Sequence, residues 1–178
     1  MLKISRESEI NLINILIDQD VISGKDLINI KNKSAEGDKS QIEAVFELNL
    51  TDEDKILDLL VKEQSLEIAD LANSEITDEI KSILPSNYIN MNFIAPFKIE
   101  GNILHIAIPD SSKLSLMRNL KTITKKEIEL HAAKLTDISL HISRLSAEGE
   151  TTIQSIQEAN ANAEKVKTFD YDVDESAE

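Results

Sequence analysis

The stretch "NILHIAIPDSS", residues 102 to 112, decides how this chain folds. Leu104, Ile106 and Ile108 alternate with His105 and Ala107, the period-two pattern of a strand with one buried face. Pro109 stops the strand, and Asp110 and Ser111 offer side-chain oxygens for a helix N-cap. "SSKLSLMRNL" then carries Leu114, Met117 and Leu120 at helical spacing. Strand, corner and helix start is also the layout of many phosphate sites, because the first N–H groups of a helix point at an anion. Here no glycine allows close backbone approach, and Asp110 already supplies a negative charge. The expected role is a self-capped turn, in which Asp110 or Ser111 takes the donors an anion would need.

Working outward, "NFIAPFKI" reads as a partner strand joined through Gly101-Asn102, a pair suited to the positive φ of a tight hairpin. "EIELHA" alternates again, with Ile128 and Leu130 facing one way, and "TDISLHISRL" closes with Ile138, Ile142 and Leu145 at helical spacing. "LEIADL" is a short strand by the same criteria. Ser74 or Thr77 caps a helix that ends before Pro85. The order ββαβα describes a small sheet covered by helices, expected over residues 65–148.

Residues 1–64 predict a four-helix subdomain. "INLINILI", residues 10–17, is apolar over most of a helix circumference, so it is either buried by its own domain or turned partly toward a partner. "VISGKDLI" and "NLTDEDKI" open the second and fourth helices. Ser23 and Thr51 are their expected caps, Leu27, Ile28 and Ile30 are buried in the second, and Ile56, Leu57, Leu59 and Leu60 in the fourth. Ile42, Val45 and Phe46 mark the inner face of the third helix. The two capped starts suggest a duplicated helix pair. Residues 149–178 read as a loosely attached helix followed by an acidic linker, "DYDVDESAE". The expected class is α+β.

Composition narrows function. A formal net charge of −14 offers no cationic stripe for nucleic acid or anionic lipid, and no partner of either kind is expected. With 0 cysteines, disulfides and thiolate metal sites are excluded. No apolar run approaches the roughly 18 residues of a membrane helix, and the opening residues do not form a signal peptide, which makes a cytoplasmic protein the expectation. "GDKS", residues 37–40, lacks the spacing of a phosphate loop, and Asp38 would repel a triphosphate. His105, His131 and His141 are scattered and read as neutral surface or edge residues rather than metal ligands. No serine sits in a nucleophile elbow. No catalytic, cofactor or metal residue is expected.

Three strings in order carry a family resemblance: "LIDQDVISGKDLINIKNKSAEG", "LTDEDKILDLLVKEQSLEIADL" and "ILPSNYINMNFIAPFKIEGNILHIAIPDSSKLSLMRNL". Over about residues 10 to 147 the chain resembles the N-terminal domain of the type II secretion and type IV pilus assembly ATPases, the GspE and PilB family. The resemblance implies a non-catalytic adaptor that precedes the motor and docks it onto the cytoplasmic part of an inner-membrane platform protein. The ATPase core would follow in cis if the chain is a fragment, and the acidic tail would be the linker to it. Leu12, Ile13, Leu16 and Ile17 are the candidate docking residues. Some members bind cyclic di-GMP through paired Arg-Leu-Gly motifs. Here Asn11-Leu12-Ile13 and Lys39-Ser40-Gln41 stand in those places, with Asp20 and Asn49 at the later glycines, so no dinucleotide site is expected.

Overall fold

The computed structural model describes residues 2–147. The expected helix and acidic linker over 149–178 lie outside the described residues. Within them the fold is α+β. The helices are α1 (Arg6–Asp18), α2 (Gly24–Gly37), α3 (Gln41–Glu47), α4 (Glu53–Gln64), α5 (Asp78–Ile83), α6 (Ser86–Asn92), α7 (Met117–Thr124) and α8 (135–147). The strands are β1 (Ala95–Glu100), β2 (Ile103–Ile108) and β3 (Glu127–Ala132).

The helical half is a repeat. α1 and α3 both end in a left-handed residue, Asp20 with φ 55° and Asn49 with φ 52°. In both, the next N–H reaches back across the last turn, Val21 to the Leu16 carbonyl and Leu50 to the Val45 carbonyl. Three residues past each left-handed position stands the cap of the following helix, Ser23 for α2 and Asp52 for α4. Asp52, not Thr51, is therefore the second cap, and Thr51 is buried. Its extended backbone lets the Asp52 carboxylate accept from Lys55 N–H at 2.9 Å. Ile28 differs from expectation too. It lies on the outer side of α2 at 61% exposure, whereas Ile30 is fully buried.

In the sheet, β2 is central, antiparallel to β1 and parallel to β3. Only Gly101 of the hairpin pair takes a positive φ, 58°. β1 is an edge strand, which is what permits Pro96, a residue with no N–H to donate. The parallel return to β3 runs through a 3-10 helix, Ser111–Leu116, and α7, where the sequence predicts one continuous helix. "LEIADL" makes only the isolated bridge Ile68–Ala132, held by Ala69 N–H to Ala132 O at 2.9 Å and Ala132 N–H to Glu67 O at 2.8 Å. α6 is absent from the sequence expectation. It forms because Pro85 stops α5 and then occupies the N-cap position of a new helix, whose end Phe93 closes in a left-handed conformation.

Alternation gives the sheet two chemically distinct faces. Leu104, Ile106, Ile108, Ile128 and Leu130 look into the core, whereas Lys98, Glu100, His105, Glu129 and His131 share the other face. Most buried residues of α1–α4, of the sheet and of α8 form one contiguous apolar cluster, from Leu16, Ile30 and Val45 to Ile106, Leu130 and Ile138, beside a smaller one of Leu57, Leu60 and Ala132. Ile106 sits at its centre with no exposed surface. Ile106→Ala should cost about 2–5 kcal/mol of unfolding free energy, read from urea denaturation.

Candidate functional site

The corner after β2 packs against the start of α1. Asp110 Oδ1 accepts the Ser112 N–H at 2.9 Å, capping the 3-10 helix as expected, and also accepts the Asn11 amide at 2.9 Å. Asn11 donates in addition to Ser111 Oγ at 3.1 Å. One turn on, the fully buried Lys113 ammonium donates to Ser5 Oγ at 3.0 Å and to the Glu7 carboxylate at 3.2 Å. Ser5 is itself the N-cap of α1. A buried Asp and a buried Lys are tolerated because each meets a partner on α1. The Ser112 N–H, the Asn11 amide and the Lys113 ammonium, which could face an anion, are engaged within the chain.

The predicted docking residues separate into two sets. Leu12, Ile13 and Leu16 are core residues, at 3%, 6% and 1% exposure. This corrects their assignment to a docking surface, because α1 is wrapped by its own domain. Leu12 and Leu16 line a small cavity with Ile56 and Leu60 of α4 beside Asp110. Ile17 remains exposed, together with Ile10, which lies outside the predicted docking set. These two, the edge of Ile13 and half-buried Leu27 line an open groove between α1 and α2, flanked by Arg6, Glu9 and Lys31. The signal that could have found it was the helical repeat of Ile10, Ile13 and Ile17.

The positions of the paired Arg-Leu-Gly motifs are also occupied internally. Asn11 holds the corner, and Leu12 and Ile13 are buried. Lys39 pairs with Glu47, Ser40 and Glu43 form the capping box of α3, and the Gln41 N–H donates to the Glu9 carboxylate. The backbone at Asp20 and Asn49 nonetheless has the positive φ that a glycine would favour.

All three histidines are buried, which corrects their reading as surface or edge residues. His131 meets His105: His105 Nδ1 and His131 Nε2 lie 3.0 Å apart. Phe97 packs its ring against both. Glu129 stands two residues before His131 on the same strand and places Oε1 3.2 Å from His131 Nε2. His141 Nε2 donates to the Pro96 carbonyl at 2.9 Å, tying α8 to the edge strand. Burial holds His131 below the usual imidazole range, with Glu129 opposing and His105 reinforcing the shift. Burial does the same to His141, against the Pro96 contact and with help from Arg144.

A family model described as the MshEN domain matches residues 64–152, half of the chain. Among solved structures, one of MshE with cdg is 18% identical, with a TM-score of 0.52, covering 75% of this chain and 97% of that one. One of the N-terminal domain of XpsE is 15% identical, with a TM-score of 0.53, covering 79% and 96%. These likenesses show a common fold. No curated protein matches the chain.

Two outcomes follow from this geometry. Asn11→Ala removes a donor from buried Asp110 and should cost about 1–3 kcal/mol in urea unfolding, whereas exposed Asn14→Ala should stay within about 0.5 kcal/mol. For pH, the unfolded histidines bind protons near ~6.5 while native His131 and His141 resist them to lower pH. Their stability contribution is therefore intact above that range and lost as pH falls through it. The urea midpoint should drop on acidification from about pH 7.5 to about pH 5.5, and His141→Gln should flatten the slope.

Proposed function

This chain belongs to the MshEN domain family, the N-terminal domain of type II secretion and type IV pilus assembly ATPases, and on that premise we propose that it is a non-catalytic interaction domain. It docks such a motor onto the cytoplasmic domain of an inner-membrane platform protein. The observation that carries this reading is the isoleucine groove between α1 and α2. Ile10 and Ile17 are 52% and 37% exposed on a helix whose remaining apolar residues are mostly core. Exposed apolar side chains rimmed by charges fit the centre of a protein contact better than a ligand pocket. The domain would sit at the membrane through that partner. No described helix is long and apolar enough to cross a bilayer.

A second reading is a regulatory domain that binds cyclic di-GMP. It is favoured by the positive φ at Asp20 and Asn49 and by the solved structure of MshE with cdg. Against it stand the missing arginines and the internal engagement of Asn11 and Lys39. An arginine both stacks on a base and pairs with phosphate, and neither Asn nor Lys replaces it in both roles.

Binding of the chain to the isolated platform domain tests the first reading. Ile10→Asp and Ile17→Asp should each weaken binding at least about tenfold while leaving the melting temperature nearly unchanged. Undiminished binding in both variants contradicts docking through this groove. Calorimetry with cyclic di-GMP should give no saturable heat, and a saturable heat would favour the second reading.

A further inference from the structure

The polar face of the sheet carries a cluster that the docking reading does not use. His105 on β2 pairs in register with Glu129 on β3, and His131 follows two residues later on the same face. His105 Nδ1, His131 Nε2 and Glu129 Oε1 form a triangle with sides of 3.0, 3.2 and 3.7 Å. Tetrahedral zinc with bonds of about 2.0–2.1 Å needs donors about 3.3–3.4 Å apart, and these three distances bracket that value. A point about 0.7 Å above the triangle lies about 2.0–2.1 Å from all three atoms, as one face of a zinc tetrahedron requires.

We propose that His105 Nδ1, His131 Nε2 and Glu129 form a three-ligand site for a zinc-class divalent cation, with water in the fourth position. Two imidazoles and one carboxylate suit zinc rather than magnesium or calcium, which take oxygen ligands. The surroundings fit as well. His105 Nε2 is buried without a hydrogen-bond partner, and its nearest carboxylate oxygen, Glu100 Oε2, lies 3.4 Å away. That is the outer carboxylate position that orients a ligating imidazole. Lys98, the cation on this face, is turned to Glu100 at 2.5 Å. The Phe97 ring stands edge-on to His131 with centroids 5.2 Å apart and walls the inner side. Glu129 is half exposed, which leaves an entry path from solvent. A bound cation would cross-link β2 to β3 at their parallel seam.

The test is calorimetric titration of the full, chelator-treated chain with Zn²⁺, paired with the absorption spectrum of the Co²⁺ form. The expected result is one saturable site per chain, a visible Co²⁺ spectrum of tetrahedral type and a higher melting temperature with Zn²⁺. Glu129→Gln, at a half-exposed position, and His131→Gln should each weaken binding at least about tenfold. His141→Gln, which alters a buried histidine outside the cluster, should not. Two results overturn the proposal: no saturable site, or a site whose affinity survives Glu129→Gln, which would assign the metal to surface carboxylates elsewhere. If His131→Gln fails to fold, Glu129→Gln decides alone.

Discussion

The seating of one buried corner on one helix end organises this domain. Asp110 and Lys113 have almost no exposure, and each reaches its partner across roughly a hundred residues of sequence, on Asn11, Ser5 and Glu7. Buried charges of this kind are costly when a partner is lost, so the contact fixes the position of α1 rather than merely tolerating it. With α1 fixed, its inner residues Leu12 and Leu16 share one apolar core with Ile56 of α4 and with the sheet. A strand-to-helix corner that elsewhere could cradle a phosphate here joins two halves of a fold.

The same constraint shapes what the surface can do. Because α1 is held by its inner side, only the Ile10–Ile17 edge is left outward, and it meets α2 along the groove. The sheet is treated likewise. Its core face is closed by helices, and its second face gathers the polar residues, among them two buried imidazoles. Docking and metal binding, as proposed, use opposite products of the same alternation. One draws on apolar residues the core has not consumed, the other on polar residues that alternation turns away from the core.

Much of this was legible in the sequence. The period-two run Leu104, Ile106, Ile108 gives β2, the Asp110-Ser111 pair gives a capped corner at which Asp110 is the residue used, and Ser23 announces α2 as its cap. What failed was what depends on tertiary neighbours. Ile28 satisfies helical spacing yet lies outside, since the face of α2 is chosen by where α1 and α3 stand. Thr51 and Asp52 are both good caps, and backbone geometry selects Asp52. The burial of Leu12, Ile13 and Leu16 could not be separated from docking, because an apolar helix looks the same whether its own domain or a partner covers it. His105 and Glu129 lie far apart in sequence, and only the parallel register of β2 and β3 places them side by side.

Native-state hydrogen exchange reads the joining of the two halves most directly. If the corner makes helices and sheet one cooperative unit, the amides of Leu16 and Val45 should open with the same free energy, and the same urea dependence, as those of Ile106 and Leu130. Exchange of the α1–α4 amides through a distinctly cheaper opening, with the sheet still protected, would contradict that role for Asp110 and Lys113.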